Sequence, residues 1–356
     1  FTALFAPATA RDAGYRYQED VDGNGEVGIS DVAALLRLGR ENSSDVRADF
    51  NNDGSFNIAD AIALLICIVN ENLHPVRPAA SQWRVLGPGG GGAMFIPTVD
   101  PFDPGHVLLA CDMTGAYVTL DDCATWKMIN LRTRVADFEF DPTSEGTVYA
   151  ANTGLWRSED GGTLWSLVYP DPADVIAEHM VGDHAEQWFE TVDGLPDTWI
   201  DKIRVDPADG NHLYIGLGSW WNGPAKVMVS DNRGASWRIL SGVQGNDVIA
   251  IFPGSWWDAP EEVIVVTDEA CVRISETTGD TTHLELPDTP VLDSDGGKGS
   301  QGAIIYLLTE LKQVGEDWLG GPYRSTDGGA TWEPVLNGLT DPDEVPAYNL
   351  VAACQN

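Results

Sequence analysis

The stretch Ser158-Glu159-Asp160-Gly161-Gly162-Thr163-Leu164-Trp165 has the composition of a compact turn followed by an aromatic residue. In such a turn the Asp carboxylate can accept hydrogen bonds from backbone N–H groups two or three residues further on. A glycine supplies a positive φ, and the tryptophan begins the next strand and packs over the turn. The stretch therefore predicts a tight connection between two β-strands.

The same turn recurs three more times, in the common form Ser-x-Asp-x-Gly-x-x-Trp. Residues 325–332 repeat it closely, residues 230–237 have Asn at the Asp position, and residues 119–126 keep the Asp and Trp but lose the Gly. The copies start 39, 72 and 95 residues apart. Because a propeller blade is a four-stranded repeat of about 45 residues, these gaps predict one blade, one blade with an insertion, and two blades. The middle one of those two has a degenerate turn around residues 274–280.

The fold class expected is mainly β, a partial propeller of about five blades or more over residues 83–356. The turn resembles the Asp-box (BNR repeat) of sialidase-like and sortilin-like β-propellers. Residues 83–86 look like a strand that closes the last blade, and residues 348–353 look like the first strand of a sixth blade. Because an open ring would leave an unpaired edge, we expect the propeller to be truncated at its C-terminus.

Two twelve-residue loops, 20–31 and 49–60, precede the propeller and have the pattern of calcium loops. Oxygen-bearing side chains occupy loop positions 1, 3, 5 and 12, and a Gly at position 6 allows the sharp turn. Position 7 contributes a backbone carbonyl, and position 9 usually acts through water. The sequence therefore predicts two Ca²⁺ ions, with ligands Asp20, Asp22, Asn24, Glu26 and Asp31 in the first loop and Asp49, Asn51, Asp53, Ser55, Asn57 and Asp60 in the second.

A single helix-like segment follows each loop, and Asp rather than Glu stands at the last loop position. Over residues 15–72 this arrangement resembles a small helical, EF-hand-like dockerin domain, which implies docking onto a cohesin. The positions that choose the partner are occupied by Ile29-Ser30 and Ile58-Ala59, where the best-known dockerins carry small hydroxyl pairs. The two Ile therefore either contact a protein partner or face an internal core or another domain of the same chain.

The remaining segments are short. Residues 1–14 form an N-terminal arm or the remnant of a signal peptide, and residues 73–82 form a linker stiffened by two Pro. The five Cys match no zinc spacing. Cys111 and Cys123 are close enough in sequence to bridge one hairpin, although unbridged thiols are the favoured alternative.

The composition limits the partners and the compartment. The net charge is −35, from 55 acidic and 20 basic residues, which argues against a nucleic-acid partner because phosphate binding needs a basic surface. No apolar run is long enough to span a membrane. We expect an extracellular or cell-surface protein, since ions there screen the self-repulsion of so acidic a chain.

The candidate catalytic residue is Asp112, which follows the predicted strand at 107–111 and precedes Gly115-Ala116-Tyr117. Together with the glycine run at 87–92, this region resembles the first blade of xyloglucanase-type glycoside hydrolases. The resemblance implies that Asp112 is a catalytic carboxylate and that Tyr117 contacts substrate. Thr114 stands where that family has a first Gly.

Two loops carry paired tryptophans, at residues 218–221 and 254–257. Exposed indole faces stack on sugars, so Trp220 and Trp221 are predicted substrate contacts; packing between blades is the alternative for both loops. The insertion at 169–198 is predicted to be a partly helical loop. A metal site is the less favoured alternative, because the insertion is rich in His, Asp and Glu: Glu178, His179, Asp183, His184 and Glu186, followed by Trp188.

Two functions remain open from the sequence. One is a non-catalytic calcium-binding module at the cell surface, whose propeller binds carbohydrate or a protein. The other is a fragment of a xyloglucanase-like enzyme. Glycoside cleavage needs two carboxylates, and in the xyloglucanase-type family the second comes from another propeller. A sialidase would need Arg where Phe95 stands.

Strand alternation gives Asp112 a predicted position on the ring. Asp112 ends a second strand, whereas each Asp-box lies in the turn after a third strand, so the two kinds of loop fall on opposite faces. Asp112 is therefore expected to share its face with the loop at 219–222 and with the insertion. The alternative is that Asp112 only caps its strand by accepting the N–H of Thr114 or Gly115.

Overall fold

The computed structural model describes residues 8–9, 21, 26–27, 29–41, 50, 57–69, 87–88, 92–112, 115–182, 186–193, 199–218, 224–288, 290–299, 302–314 and 317–335. The chain forms two compact units, Phe1–Val85 and Leu86–Asn356. This division lies close to the boundary predicted after residue 82. The predicted strands at 83–86 and 348–353 lie outside the described residues.

The first unit contains the two helices expected after the two loops. Strand β1 (Ala8–Thr9) pairs antiparallel with β2 (Glu26–Val27), so part of the N-terminal arm pairs with residues of the first loop. Helix α1 spans Ile29–Glu41 and α2 spans Ile58–Val69. The helices pack against each other, and Leu35 and Leu64 are fully buried.

The second unit contains five four-stranded antiparallel sheets, each a meander in chain order, which are the blades of a propeller. Blade 1 consists of β3 (Met94–Val99), β4 (Val107–Cys111), β5 (Ala116–Thr119) and β6 (Lys127–Ile129). Blade 2 consists of β7 (Asp137–Phe140), β8 (Val148–Ala151), β9 (Leu155–Ser158) and β10 (Ser166–Tyr169).

A two-stranded hairpin of β11 (Val175–Val181) and β12 (Glu186–Thr191) separates blades 2 and 3. Blade 3 consists of β13 (Ile200–Asp206), β14 (Asp209–Leu217), β15 (Lys226–Ser230) and β16 (Arg238–Leu240). Blade 4 consists of β17 (Val248–Pro253), β18 (Glu262–Thr267), β19 (Cys271–Ser275) and β20 (Thr281–Leu284). Blade 5 consists of β21 (Val291–Gly299), β22 (Gly302–Val314), β23 (Asp317–Ser325) and β24 (Glu333–Pro334).

The hydrophobic core lies between successive blades. The first strands pack in the order β3, β7, β13, β17 and β21. Four clusters of buried side chains fill the spaces between the sheets, and each joins two neighbouring blades. Representative pairs are Val118 with Phe138, Leu155 with Ile203, Val227 with Ile251, and Val266 with Ile305. The inner strands are thereby fixed around one central channel.

The prediction of a partly helical insertion is wrong. Residues 175–191 form the β11–β12 hairpin, in which His179 pairs with Trp188 and Val181 with Glu186. A hairpin satisfies the backbone N–H and C=O groups of an exposed insertion by cross-strand pairing, and the buried ring of Phe189 anchors it. A further 3-10 turn at Gly254–Trp257 holds the second tryptophan pair.

The suggested disulfide is also absent. Cys111 is a buried free thiol at the end of β4, whereas Cys123 lies in the turn after β5, at the opposite end of the blade. Two half-cystines must have Cα atoms within about 7 Å, and a strand length separates these two. Among the described helices, none has the length and apolar character needed to cross a membrane.

Candidate functional site

The Asp-box turns close one face of the propeller, which we call the Asp-box face. In the second copy Ser158 Oγ accepts the Gly162 N–H at 2.9 Å. Asp160 Oδ1 accepts the N–H groups of Thr163 at 3.0 Å and Leu164 at 2.8 Å. The Asp thus bonds residues three and four positions on, slightly further than the sequence predicted, because two consecutive left-handed residues lengthen the turn.

The other copies use the same geometry with different residues. In each of them the backbone N–H of the seventh residue donates to the side chain of the third. The bonds are Thr125 to Asp121 at 2.8 Å, Ser236 to Asn232 at 2.8 Å, and Thr331 to Asp327 at 2.9 Å. In the first copy Asp122 and Cys123 adopt the left-handed φ values of 56° and 63° that glycines supply elsewhere. The degenerate turn of blade 4 lies where it was predicted, between β19 and β20.

The Asp-box turns of blades 2 and 5 accept hydrogen bonds from the preceding blade. The Gly161 N–H donates to Gly146 O of the same blade at 2.9 Å. Gly161 O accepts from His106 Nε2 of blade 1 at 3.0 Å. Likewise Gly328 O of blade 5 accepts from Arg273 of blade 4 at 3.2 Å. The Asp-box face is therefore occupied largely by contacts that hold the blades together.

The opposite face carries Asp112, and we call it the Asp112 face. It consists of the connections between second and third strands and those from one blade to the next. Their backbones are bonded to one another, from Gly115 N to Thr133 O at 3.3 Å and from Ile200 N to Asn152 O at 2.8 Å. Thr153 Oγ1 donates to Gln187 O at 2.5 Å, which places the hairpin on this side, as predicted.

Asp112 is held at the edge of the first two strands of blade 1. Its Oδ1 accepts the Ala93 N–H at 2.9 Å, and its own N–H donates to Ala93 O at 3.2 Å. The Cys111 thiol lies 3.8 Å from the same Oδ1. Among the described residues no group donates to Oδ2. The carboxylate is therefore oriented through one of its two oxygens.

Of the three predicted sugar contacts, the structure describes Tyr117. Tyr117 lies in β5, paired with Leu109 and Met128, and is half-buried. Because Ala116 and Val118 belong to the core shared with blade 2, alternation turns Tyr117 toward the other side of the sheet. Trp220 and Trp221 lie outside the described residues.

The second tryptophan pair follows the packing alternative. Trp256 is buried against Phe252, with ring centroids 5.5 Å apart, and against Trp257 at 5.8 Å. Trp257 Nε1 lies close to Gly328 in the box of blade 5, 3.3 Å from where a Cβ on that glycine would stand. These rings therefore belong to the interface between blades 4 and 5 on the Asp-box face.

A cluster of charged groups lies on the Asp112 side of blade 3. Arg134, whose backbone is bridged to Gly115, stacks over the Trp199 ring at 5.3 Å. Trp199 in turn bonds the Asp201 carboxylate, and burial together with the nearby Asp247 raises the pKa of Asp201 to about 7. Asp201 thus holds a proton more readily than an ordinary Asp.

The central channel contains an ion pair that sequence reasoning missed. At the Asp-box end of the channel a cavity of about 270 Å³ is lined by residues from all five blades, including Glu139, Arg204 and Lys298. Arg204 Nη1 bonds Glu139 Oε2 at 3.1 Å, and both side chains are largely shielded from solvent. Burial, with added repulsion from Asp137 and Asp295, raises the pKa of Glu139 to about 7 even though Arg204 opposes the shift. The alternation of charged and apolar residues in β7 was the available signal.

The hairpin's charged residues pair with one another. His179 Nε2 bonds Glu190 at 2.7 Å, and Glu178 accepts from Gln187 Nε2 at 2.6 Å. In the part of the chain that the structure describes, no group of three or more potential ligands is arranged for a metal. Asp183 and His184 lie outside that part.

Most of the predicted calcium ligands also lie outside the described residues. These are Asp20, Asp22, Asn24, Asp49, Asn51, Asp53 and Ser55, together with the side chain of Glu26. Asp31 and Asp60, at position 12 of the two loops, lie in the first turns of α1 and α2 and are fully buried. Asp60 Oδ2 accepts the Asn57 N–H at 2.7 Å. Buried carboxylates at these two equivalent positions fit the donor set that a calcium loop needs.

The two Ile at the positions predicted to choose a partner are exposed. Ile29 is 56% and Ile58 66% exposed. The alternative of an internal core is therefore wrong for these two side chains.

The sequence is similar to two curated proteins. A xyloglucanase of Hypocrea jecorina (strain QM6a) is 25% identical over 298 residues, covering 71% of this chain and 34% of the relative. The xyloglucanase Xgh74A of Acetivibrio thermocellus is 22% identical over 297 residues, covering 70% of this chain and 33% of the relative. The chain thus spans about a third of the length of the curated relatives that it matches. No family model matches the sequence.

The fold has a counterpart among solved structures. The crystal structure of an ancestral GH74 enzyme superposes with a TM-score of 0.52 and 20% identity, covering 73% of this chain and 33% of that one. Together with the five blades, these likenesses support a propeller of the xyloglucanase type.

Proposed function

We propose that the propeller forms part of a secreted, xyloglucanase-like protein and binds a β-glucan on its Asp112 face. The relatives named above are called xyloglucanases, and the alignments extend over most of this chain. The observation that carries the proposal is the state of Asp112. One carboxylate oxygen is fixed by the Ala93 N–H, and no described group donates to the other. A preoriented carboxylate among long loops is the arrangement that a sugar site requires.

The role assigned to Asp112 is that of one of two carboxylates. Hydrolysis of a glycoside usually needs a pair roughly 5–10 Å apart, flanking the scissile bond. The resemblance to xyloglucanase-type enzymes assigns the second carboxylate to another propeller. We therefore expect residues 1–356 to bind the glucan without hydrolysing it. We expect Asp112 to contribute to hydrolysis when a second propeller completes the site.

Affinity gel electrophoresis in soluble xyloglucan tests the proposal, with release of reducing ends measured in parallel. The expected result is retarded migration of the chain in xyloglucan gels, no retardation in gels without polysaccharide, and no release of reducing ends. Equal migration in both gels, for xyloglucan and for an unbranched β-glucan, would overturn it. Release of reducing ends would assign both carboxylates to this chain.

The first unit supports a second proposal, that its two loops bind Ca²⁺ and its helices dock a protein. Asp31 and Asp60 are buried carboxylates at the last position of the two loops, where a calcium loop places an oxygen ligand. The exposed Ile29 and Ile58 offer apolar contacts to a cohesin-like partner.

Calorimetry with and without a chelator measures the effect of calcium. Because an ion that binds only the folded state stabilises it, saturation at about a hundred times Kd contributes about 2.7 kcal/mol. We expect EDTA to lower the melting temperature of the first unit, and Asp31→Asn to reduce that difference. A transition unchanged by EDTA would contradict calcium binding.

A further inference from the structure

A groove lies between blades 1 and 2, and Asp112 is not among the residues that line it. It has a volume of about 420 Å³, within the range of about 300–1,000 Å³ typical of small-molecule sites. We call it the rim groove, and it is lined by Lys127, Arg132, Trp156, Trp165, Glu178 and Gln187.

The floor of the rim groove is aromatic. Trp156 and Trp165 are both half-buried. Their indole N–H groups are already used, Trp156 by Asn152 Oδ1 at 3.0 Å and Trp165 by Gly162 O at 2.9 Å. A ligand therefore meets the flat faces and edges of two fixed rings, which favour the apolar face of a ligand ring.

The wall of the rim groove holds a buried amide with an unused acceptor. Gln187 is only 3% exposed, and no described group donates to its Oε1. Its Nε2 bonds Glu178 at 2.6 Å. Because an ionised carboxylate only accepts hydrogen bonds, the nitrogen must face Glu178 and the oxygen remains unsatisfied. Buried polar atoms are nearly always bonded, and none of the described residues supplies the donor for this oxygen.

The amide is held rigidly in its place. The Gln187 N–H donates to Arg132 O at 3.2 Å, and its carbonyl accepts from Thr153. Arg132 is fixed in turn by Asn130 Oδ1, which accepts its N–H at 2.8 Å. The Arg132 and Glu178 side chains approach within 3.9 Å at the groove rim. The wall therefore combines acceptors and donors of both charges in a preorganised array.

We infer that the rim groove is a second carbohydrate site, which binds a short stretch of neutral glycan. Its two indoles would take the C–H faces of pyranose rings, and a sugar hydroxyl would donate to Gln187 Oε1. An anionic glycan is disfavoured by Glu178 and by the net charge of −35. The ligand class follows from the groove itself and does not depend on a role for Asp112.

The next blade interface offers a matched comparison. A groove of about 400 Å³ lies between blades 2 and 3. There Met228 replaces the residue equivalent to Trp156, two positions before the Asp-box, and the rim is acidic, with Asp171, Asp174 and Asp193. The same architecture thus lacks both the second indole and the basic groups, so we expect it not to bind sugar.

NMR of the full chain, with its Gln side-chain amides labelled, tests the inference using cellotetraose as the probe. Loss of one signal in Gln187→Met assigns the Gln187 amide. We expect cellotetraose to shift this signal, and we expect Gln187→Met and Trp156→Leu each to weaken binding at the groove about tenfold, followed for these variants through the Trp165 indole signal. Met228→Leu, the matched control, and Asp112→Asn should leave the groove affinity unchanged.

Three outcomes would overturn the inference. The first is a Gln187 signal that does not move at millimolar cellotetraose. The second is an equal loss of affinity in Met228→Leu, and the third is a shift caused by an extended peptide but not by the sugar. Trp156 also packs on Phe189, so Gln187→Met is the deciding variant if Trp156→Leu lowers the melting temperature. Loss of sugar binding at the rim groove would leave the proposal for Asp112 standing, and loss of binding at Asp112 would leave the rim groove standing. The two proposals can therefore be tested separately.

Discussion

At the scale of single residues, the Asp-box turn works through an acceptor in its third position. Asp160 fills this position in blade 2 and Asn232 in blade 3, and both bond the N–H four residues on at 2.8 Å. The turn therefore requires a hydrogen-bond acceptor in this position, and it does not require the negative charge of a carboxylate. The charge still responds to pH, because bonds from backbone N–H groups, above all that of Leu164, lower the pKa of Asp160.

Replacing Asp160 separates geometry from charge. A carboxyl with a lowered folded-state pKa contributes stability above its unfolded pKa of about 3.9, and that stability is lost as pH falls through the folded value. Asp160→Asn should therefore change little near neutral pH and flatten the loss of stability in acid. Asp160→Ala should cost about 1 kcal/mol or less at neutral pH, because the site is exposed.

Urea denaturation at several pH values measures both effects. Glu159→Gln, which changes the neighbouring exposed acid, is the control. It should leave the loss of stability at acid pH unchanged. An Asp160→Asn protein with the acid dependence of the parent would show that the turn's carboxylate does not contribute.

At the scale of elements, the hydrogen bond from blade 1 to the Asp-box of blade 2 holds two neighbouring sheets together. His106 in blade 1 is 4% exposed. Its Nε2 donates to Gly161 O of blade 2 at 3.0 Å, and its Nδ1 lies 2.8 Å from Asp100 Oδ2. The ring also meets Phe140 edge-on, with centroids 5.0 Å apart. One imidazole thus links three segments of two blades.

Removing the His106 imidazole should lower the free energy of unfolding. His106→Ala would leave the buried Asp100 carboxylate without its ring partner and open a cavity, so we expect a loss of about 3 kcal/mol. His179→Ala is the matched control, since His179 forms its ion pair with Glu190 at an exposed site and its loss should cost about 0.5 kcal/mol or less. Equal effects in thermal denaturation would contradict the structural role of His106.

Sequence reasoning captured the elements that are encoded locally. The repeated turn predicted the blades, including the degenerate copy between β19 and β20, and the apolar segments after the two predicted calcium loops predicted α1 and α2. The hairpin at 175–191 was missed because its pairing partner is set by the fold and not by a strong local period. The Gln187 wall of the rim groove joins residues of the hairpin to Arg132, over 50 positions apart in the chain, and no local pattern encodes that contact.

At the scale of the whole molecule, the five blades meet at the central channel. Arg204 of blade 3 bridges to Glu139 of blade 2, and its Nε donates to Ile251 O of blade 4 at 3.3 Å. These residues are more than 45 positions apart. Only the packing of successive inner strands brings them together, which is why the sequence did not reveal them.

Glu139 gives the channel a pH dependence. Its folded-state pKa is raised to about 7, so the stability linked to its bound proton is fully present below the unfolded value of about 4.3 and is lost as pH rises through 7. The free energy of unfolding should therefore fall by about 2 kcal/mol between about pH 5 and pH 8. Glu139→Gln should reduce that fall, whatever its effect on absolute stability, and an unchanged pH dependence would contradict the channel's electrostatics.

We propose that the Asp112 face of the propeller binds glucan. Calorimetric titration of a xyloglucan oligosaccharide into the wild-type chain, Asp112→Asn and Asp122→Asn tests this proposal, because Asp122 lies in the first box on the opposite face. We predict that Asp112→Asn weakens binding about tenfold, equivalent to about 1.4 kcal/mol, while Asp122→Asn binds as the wild type does. Equal affinity of all three proteins, with their melting temperatures unchanged, would contradict the claim.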